Sequence, residues 1–460
     1  MEQIYHHLKK LENSNIYPFH MPGHKRQDRE EPFFSNMYSL DITEITGYDD
    51  LHHPEGIIRD SMDFIKQVYH TEDSYLLINS STAGNLAAIA AACNIGDKIL
   101  IARNSHKSVY YAIELLGLNP VYIYPKLDNH GICLGIEKQQ IEEILDREQD
   151  IKAAMIVSPT YEGRISDIQG IAEVLHKKRI PLIVDEAHGA HFQFHSIFPD
   201  SAVSQGADVV IQSLHKTLPC LTQTGLLHRC SDYILAETIQ KKLSVFQSSS
   251  PSYIFMAAID YCIHSCVENP QSFQQYADQL LIFREKLRHL VHIKLVDNDD
   301  PGKIVLSVKD TSMSGQELFD CLRDEYDLEL EMSEISYVIA MTSVCDTAEG
   351  FDRLYHALYE IDQKLSERKN TEDFFGVFNN QMAMVPERAL REQKTAVDIS
   401  EAEGRIGADF IFLYPPGIPL IVPGERISQD VLDQIIRYQS NKMKVEGISE
   451  NKINVLDKRI

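Results

Sequence analysis

Two short stretches carry residues whose types and spacing suit carbonyl chemistry. The first is Gln212-Ser213-Leu214-His215-Lys216-Thr217-Leu218-Pro219. It follows the apolar run Asp208-Val209-Val210-Ile211, which reads as a buried strand ending at a turn. Lys216 therefore sits just past a strand end, where open α/β sheets place their ligand crevices. A lysine desolvated there loses part of its positive charge and becomes a nucleophile able to form a Schiff base with a carbonyl. The alternative is a solvated surface lysine. Ser213 and His215 weigh against it, because they flank Lys216 with hydrogen-bond donors suited to an anion.

The second stretch is Ile183-Val184-Asp185-Glu186-Ala187-His188-Gly189-Ala190-His191. A strand ending in Asp185 brings a carboxylate to the same sheet edge as Lys216. A pyridine-type cofactor needs such an anion, which keeps its ring nitrogen protonated and makes the ring an electron sink. A strand-end aspartate can also simply cap the next helix. Ala187 is small enough to let a ring lie against the backbone, and His188 would then reach the ring's phenolic oxygen. His106, in Asn104-Ser105-His106-Lys107-Ser108, follows another strand end and can stack on a planar ring or shuttle a proton. A competing reading takes His188, His191 and His195 as metal ligands, with Asp185 completing a hydrolase site. It leaves Lys216 without a role, and no second carboxylate cluster supports it.

Elements to hold these residues at one edge are legible in the apolar pattern. Tyr75 to Asn79 reads as a strand, Ser80-Ser81-Thr82 as a turn and N-cap, and Ala83 to Ala92 as a closely packing helix. Strand, hydroxyl-rich turn and helix N-terminus make Ser81 and Thr82 an anion site, or else plain caps. Further strands are expected at Lys98 to Ala102, Val121 to Tyr124, Ala153 to Val157 and Pro181 to Val184. Helices are expected at Ser108 to Leu116, Ile136 to Asp146 and Ile168 to His176. Continuous apolar strands separated by helices imply a parallel sheet covered on both faces, an α/β fold.

Residues 1–50 read as an arm with a short amphipathic helix (Ile4, Leu8, Leu11), a turn within Pro18 to Lys25 and a charged loop from Arg26 to Glu31. Residues 51–291 form the large domain, helical after Pro251. Residues 292–365 read as a small α+β domain, with strands at Lys303 to Val308 and Ile335 to Thr342 and a helix at Gly315 to Glu325. Residues 366–460 form a C-terminal module in which Tyr414 to Gly424 is a rigid turn near the mouth of the site. Its polar tail after about Asn441 is expected to be partly disordered. Gln247 to Ser252 reads as a functional loop, being too short for a linker.

Of 460 residues, 43% are hydrophobic, enough for two or three cores. With 68 acidic against 44 basic residues the formal net charge is -24, which argues against nucleic acid and anionic membranes as partners. Eight cysteines lack any CxxC pairing, no signal peptide is recognisable and no apolar stretch is long enough to span a membrane, so the expected compartment is the cytoplasm.

The stretches Ser80 to Asn85, Asn104 to Ser108, the DEAHGAH run from Asp185 and Ser213 to Lys216 together resemble the bacterial ornithine/lysine/arginine decarboxylases. Pro22 to Lys25, Asp49 to Pro54 and Tyr414 to Gly424 match that family too, so the resemblance covers nearly the whole chain. It implies a pyridoxal 5'-phosphate enzyme of fold type I, built on a mainly parallel seven-stranded sheet, in the shorter form without an N-terminal wing domain. Lys216 would be the Schiff-base lysine, Asp185 the partner of the ring nitrogen and His106 the stacking residue. Ser81, Thr82, Ser213 and His215 would hold the phosphate. The implied reaction removes CO2 from a basic L-amino acid and feeds polyamine metabolism. The implied assembly is a homodimer or larger, with the site at the subunit interface and a hydroxyl from Ser248 to Ser250 reaching the neighbour's phosphate. Ser80 stands where many members have glycine, and Leu214 where several carry a small polar residue. Lys216 or His188 would return the proton after CO2 leaves.

Bond orientation, which decides between losing CO2 and losing the α-proton, is not legible in the residues. An aminotransferase or another fold type I enzyme is therefore one alternative, and a catalytically silent regulatory relative a second. Keeping Lys216, Asp185 and His106 together speaks against the silent relative. Glu329, Glu331 and Glu334 are candidates for the substrate's cationic end, against the plainer reading of a strand with solvated glutamates. Their spacing does not separate a guanidinium from an ammonium.

Overall fold

The computed structural model describes residues 15–19, 42–44, 48–368, 380–413 and 417–457. The expected N-terminal helix, the segment from His20 through the charged loop to Glu31, and the Tyr414-Pro415-Pro416 part of the late turn lie outside them.

Seven strands form the central sheet: β1 (Asp73–Leu77), β2 (Lys98–Ala102), β3 (Asn119–Ile123), β4 (Ile151–Val157), β5 (Leu182–Asp185), β6 (Val209–Ser213) and β7 (Gly225–Arg229). Their spatial order is β1-β7-β6-β5-β4-β2-β3, and only β7 runs antiparallel to its neighbours. Strands β5 and β6 are buried along their whole length because helices cover both faces, which is why they read as unbroken apolar runs. Against one face packs α1 (Ser80–Ala92), whose alanines allow a close approach. A Cβ on Gly84 would lie 2.7 Å from Leu77 Cδ1 and 2.8 Å from Ile211 Cγ2, so glycine fixes how near α1 sits to β1 and β6. The next helix, α2 (Lys107–Leu116), starts directly after His106.

Sequence reasoning passes over β7. Its apolar run is cut short by His228 and Arg229, which are buried because Ser74 Oγ lies 2.8 Å from His228 Nδ1 and Arg229 Nε donates to Asp73 Oδ2 at 2.6 Å. The Arg229 pairing also starts β1 at Asp73, two residues before its expected start. Its far end closes at Leu77, because Ile78 N–H turns away to Gln247 Oε1 at 2.8 Å.

A four-stranded antiparallel sheet follows, in the order Met332–Ser333, Tyr337–Met341, Lys303–Ser307, Lys294–Leu295. The helix Gly315–Tyr326 covers it, opened by a reciprocal capping box between Ser314 and Glu317. From the arm, Tyr17–Phe19 pairs in parallel with Leu328–Leu330 and buries Phe19 in the same core as Leu306.

The C-terminal module packs the helix Gln429–Ser440 on short strands. Contrary to the expectation from its polarity, the tail carries a strand: Lys452–Leu456 pairs antiparallel with Lys394–Asp398. Ile453 and Val455 alternate at strand period and are buried, a signal diluted by the polar residues between them. The module is tied to the large domain by a buried ion pair, Arg103 Nη2 to Glu425 Oε2 at 3.1 Å, the two side chains being 2% and 0% exposed. Arg103 is the residue directly after β2. Among the described residues no helix is long and apolar enough to cross a membrane.

Candidate active site

At the C-terminal ends of β5 and β6 lies a cavity of about 310 Å³, lined by Lys216, Asp185, His188 and His106 among others. Asp185 is the last residue of β5, and Lys216 lies in the single helical turn Leu214–Thr217 that follows β6. The strand-end rule therefore brings together the residues expected from sequence.

Lys216 Nζ lies 3.0 Å from His188 Nε2, and Lys303 Nζ lies 3.0 Å from His188 Nδ1. An ammonium only donates, and a neutral imidazole has one donor and one acceptor nitrogen. Only one of the two lysines can therefore donate to a neutral His188, and the other can accept its proton only as a neutral amine. Burial, followed by the charges of Lys216 and Lys303, holds His188 well below its usual pKa. Burial also lowers the pKa of Lys216, opposed by Asp185 and Glu331. Both shifts disfavour the charged forms, of the imidazole and of the amine.

Asp185 accepts from Asn85 Nδ2 at 2.8 Å and from Ala187 N–H at 3.1 Å. Burial raises its carboxyl, and Lys216, Asn85 and the Ala187 N–H oppose the rise. The second Asn85 proton goes to Ser108 Oγ at 2.9 Å, and Ser108 Oγ in turn lies 2.9 Å from His106 Nδ1. His106 caps α2, its Nδ1 accepting the Ser108 N–H at 3.2 Å. With Nδ1 committed as an acceptor, burial and the nearby Lys216 and Lys107 push its pKa down to about 3, so the ring is neutral. Asn85 thus links the carboxylate to His106. The neighbouring Glu186 plays a structural part instead. Its carboxylate accepts from Ser201 Oγ, Ala202 N–H and Gln212 Nε2, each at 2.7 Å, and burial pushes its pKa up to about 7.

On the anion side, Ser213 Oγ donates to Ser81 Oγ at 2.9 Å, and His215 Nδ1–H donates to the Thr224 carbonyl at 2.9 Å. His215 can then offer a proton from Nε2 only as an imidazolium. Ser81 and Thr82 lie within the first turn of α1 and do not cap it, since the N-cap is Asn79, whose Oδ1 instead accepts the Ser248 N–H at 3.0 Å. Ser80 adopts a left-handed φ of 65°, the conformation that glycine provides without strain; its Oγ accepts the Thr82 N–H at 3.2 Å. The exposed loop at Ser248 is held by its carbonyl to His52 Nε2 at 2.8 Å.

The three histidines of the metal reading diverge. His188 joins the two lysines, His191 Nε2 lies 3.2 Å from Asp300 Oδ1, and His195 Nε2 lies 3.1 Å from Gln274 Oε1. The three glutamates also separate: Glu331 lines the main cavity and accepts from Tyr161 OH, Glu334 lines a smaller adjoining cavity, and Glu329 lies outside both, near Arg323. Sequence reasoning misses Asn85, Tyr161, Glu162 and Lys303 as site residues. Tyr161 and Glu162 follow β4 at the same sheet edge, so the strand-end rule, applied to that strand as well, would find them.

Residues 3–327 match the family model described as Orn/Lys/Arg decarboxylase, major domain, and residues 368–448 the model of the Orn/Lys/Arg decarboxylase C-terminal domain. The chain is 31% identical to the arginine decarboxylase of Bacillus subtilis strain 168 over 473 residues, covering 98% of this chain and 96% of that one. Its structure is similar to that of the constitutive lysine decarboxylase of Escherichia coli, with a TM-score of 0.79 and 19% identity, over 92% of this chain and 76% of the other. An alanine–glyoxylate aminotransferase from Nostoc is similar over 77% of this chain and 98% of its own, with a TM-score of 0.58 and 14% identity. At such identities the two structural likenesses speak for the fold.

Proposed function

Because the chain belongs to the Orn/Lys/Arg decarboxylase family, we propose that it uses pyridoxal 5'-phosphate to convert a basic L-amino acid (arginine, lysine or ornithine) into the corresponding amine and CO2. The observation that carries this reading is the half-buried Lys216, whose Nζ lies 3.0 Å from an imidazole, at the same strand ends as the buried carboxylate of Asp185. The donor set fits the cofactor. Lys216 would hold it covalently, Asp185 would face its ring nitrogen, His106 would lie on its ring, and Ala187 would leave room beside it. Ser81, Thr82, Ser213 and His215 would hold its phosphate. When bound, the group supplies a sink for the electron pair that CO2 leaves behind.

The chain's own residues do the rest. Asp185 keeps a proton on the nitrogen it faces, since a cation there offsets the burial that works against its charge. Asn85 fixes the orientation of that carboxylate and, through Ser108, the neutral state of His106. His188 Nε2 and Lys216 Nζ lie 3.0 Å apart, so a proton can be held at either and delivered from there to the reacting carbon. Glu331, held by Tyr161, makes one wall negative toward a cationic substrate.

In the same reading the protein works in the cytoplasm as a homodimer or larger homo-oligomer, supplies polyamine synthesis and binds neither nucleic acid nor membrane. Its units are the arm 1–50, the large domain 51–291, the small domain 292–365 and the C-terminal domain 366–460. The loop from Ser248 to Ser250, exposed beside Asn79, serves the phosphate site of the neighbouring copy. The test supplies L-arginine, L-lysine and L-ornithine with pyridoxal phosphate and follows amine and CO2. One amine released with CO2, lost by about a thousandfold or more in Lys216→Ala together with the cofactor's visible absorbance, is the expected result. Cofactor bound through Lys216 with no CO2 from any of the three would overturn the reading in favour of transamination or another substrate.

A further inference from the structure

Behind the main cavity lies a second one of about 100 Å³, and the two share Asn104, Cys133, Glu162 and Ile418. Among the described residues its polar lining has acceptors and no cation. Glu162 Oε1 accepts from Tyr337 OH at 3.0 Å, and Glu334 Oε1 accepts from Tyr438 OH at 3.4 Å. Burial raises both carboxyls, and their mutual repulsion adds to the rise at Glu334, which reaches about 7. Among the described residues no lysine, arginine or histidine forms an ion pair with either. Two amide oxygens complete the lining: Asn104 Oδ1 and Gln434 Oε1 are buried without a hydrogen-bond partner, on side chains of residues only 7% and 3% exposed.

Two half-buried carboxylates and two unmatched, buried carbonyl oxygens in one compartment call for a donor-rich cation. An ammonium offers three N–H bonds from a point, whereas a guanidinium offers five in a planar fork that suits two carboxylates at once. The compartment also adjoins the main cavity, with which it shares four lining residues. We propose that this compartment is the guanidinium subsite of an arginine-specific enzyme, with Glu162 and Glu334 as its charged walls and Gln434 as a specificity residue from the C-terminal domain. The proposal rests on the decarboxylase reading above and names its substrate. It also gives the C-terminal domain a direct part in recognition, since Gln434 and Tyr438 lie on the helix Gln429–Ser440.

The experiment measures, by titration calorimetry on the full-length, cofactor-loaded protein, the affinity for agmatine and for cadaverine, the amines that arginine and lysine yield. The expected result is agmatine bound at least about tenfold more tightly than cadaverine, as charge-assisted hydrogen bonds in a dry site allow. Glu334→Gln should bring the two affinities to within about twofold, and Gln434→Leu should weaken agmatine several-fold while leaving cadaverine alone. Thermal melting of each variant confirms folding. Should Glu334→Gln fail to fold, Gln434→Leu decides between the outcomes. Equal affinity of the wild type for both amines, or a preference untouched by the folded variants, overturns the proposal. Parallel assays with the three amino acids keep the two readings apart. A Glu334-dependent agmatine preference without CO2 release would end the decarboxylase reading alone, and CO2 release without that preference would end the guanidinium subsite alone.

Discussion

The molecule surrounds its inner carboxylates in two opposite ways, in the main cavity and in the smaller one that adjoins it. At the sheet edge, Asp185 is surrounded by its own stabilisers, with Asn85 and the Ala187 N–H donating to it and Lys216 lowering its pKa. Beyond it, Glu162 and Glu334 receive tyrosine and threonine hydroxyls and backbone N–H groups and repel one another. The first arrangement is complete within the chain and suits a resident group that stays. The second is costly while empty and suits a charge that arrives and leaves. The difference separates chemistry from recognition, the one on rigid strand ends and the other on walls contributed by three parts of the chain.

Under that contrast, charge-neutral substitutions on the two sides should act in opposite senses. The largest effect is expected for Asp185→Asn, which keeps the shape and the Asn85 neighbour but removes the anion. Activity should fall by about a thousandfold in kcat, with substrate preference among the three amino acids unchanged. A fall in KM alone, or a change of preference, would blur the division.

A smaller loss, about ten- to a hundredfold, is expected for Lys303→Met, because Lys303 positions His188 and touches no substrate. The pH profile distinguishes this from simple destabilisation. Lys303 is one of the charges that hold His188 low, so its removal lets the pKa of His188 rise, and the acid limb of activity should move to higher pH. An unmoved limb with a lowered melting temperature would make Lys303 a packing residue only.

The smallest effect concerns stability without substrate. The carboxyl of Glu334, at about 7 when folded against 4.5 otherwise, binds a proton more tightly in the folded state. Its contribution is therefore fully present below the lower value and lost as pH rises through the higher one. Glu334→Gln removes that loss. The variant should melt close to the wild type at about pH 5 and about 3 °C above it at about pH 8. Agmatine should raise the wild type at high pH and close the gap.

The contrast also sorts what is legible in the sequence. The sheet-edge residues can be read because each ends an unbroken apolar strand, and strand ends converge whatever the loops do. Strand β7 escapes because His228 and Arg229 interrupt its pattern and their partners, Ser74 and Asp73, lie about 150 positions away in sequence. Asn85 looks like one more residue of an Ala-rich helix, since only the packing of α1 against β5 and α2 gives its amide two acceptors. The recognition wall is least legible. Glu162, Glu334 and Gln434 come from a strand end, a short loop and a distant helix, and no local spacing relates them. Glu334 stands out in the sequence only as one of three glutamates, and folding alone separates it from Glu329.

The Arg103–Glu425 pair makes the chain a poor candidate for modular engineering. Grafting the C-terminal unit from a relative without an acid at position 425 would strand the Arg103 guanidinium in a dry seam, at a cost of about 3–5 kcal/mol, and cutting before it would remove the cover of Arg103 altogether. The damage would not stay at the seam, since Arg103 stands three positions before the histidine expected to cover the cofactor, and Lys107 N–H reaches the Gly417 carbonyl at 3.2 Å. Truncated or chimeric versions are therefore expected to lose activity as if the catalytic edge itself had been altered, although no catalytic residue was changed.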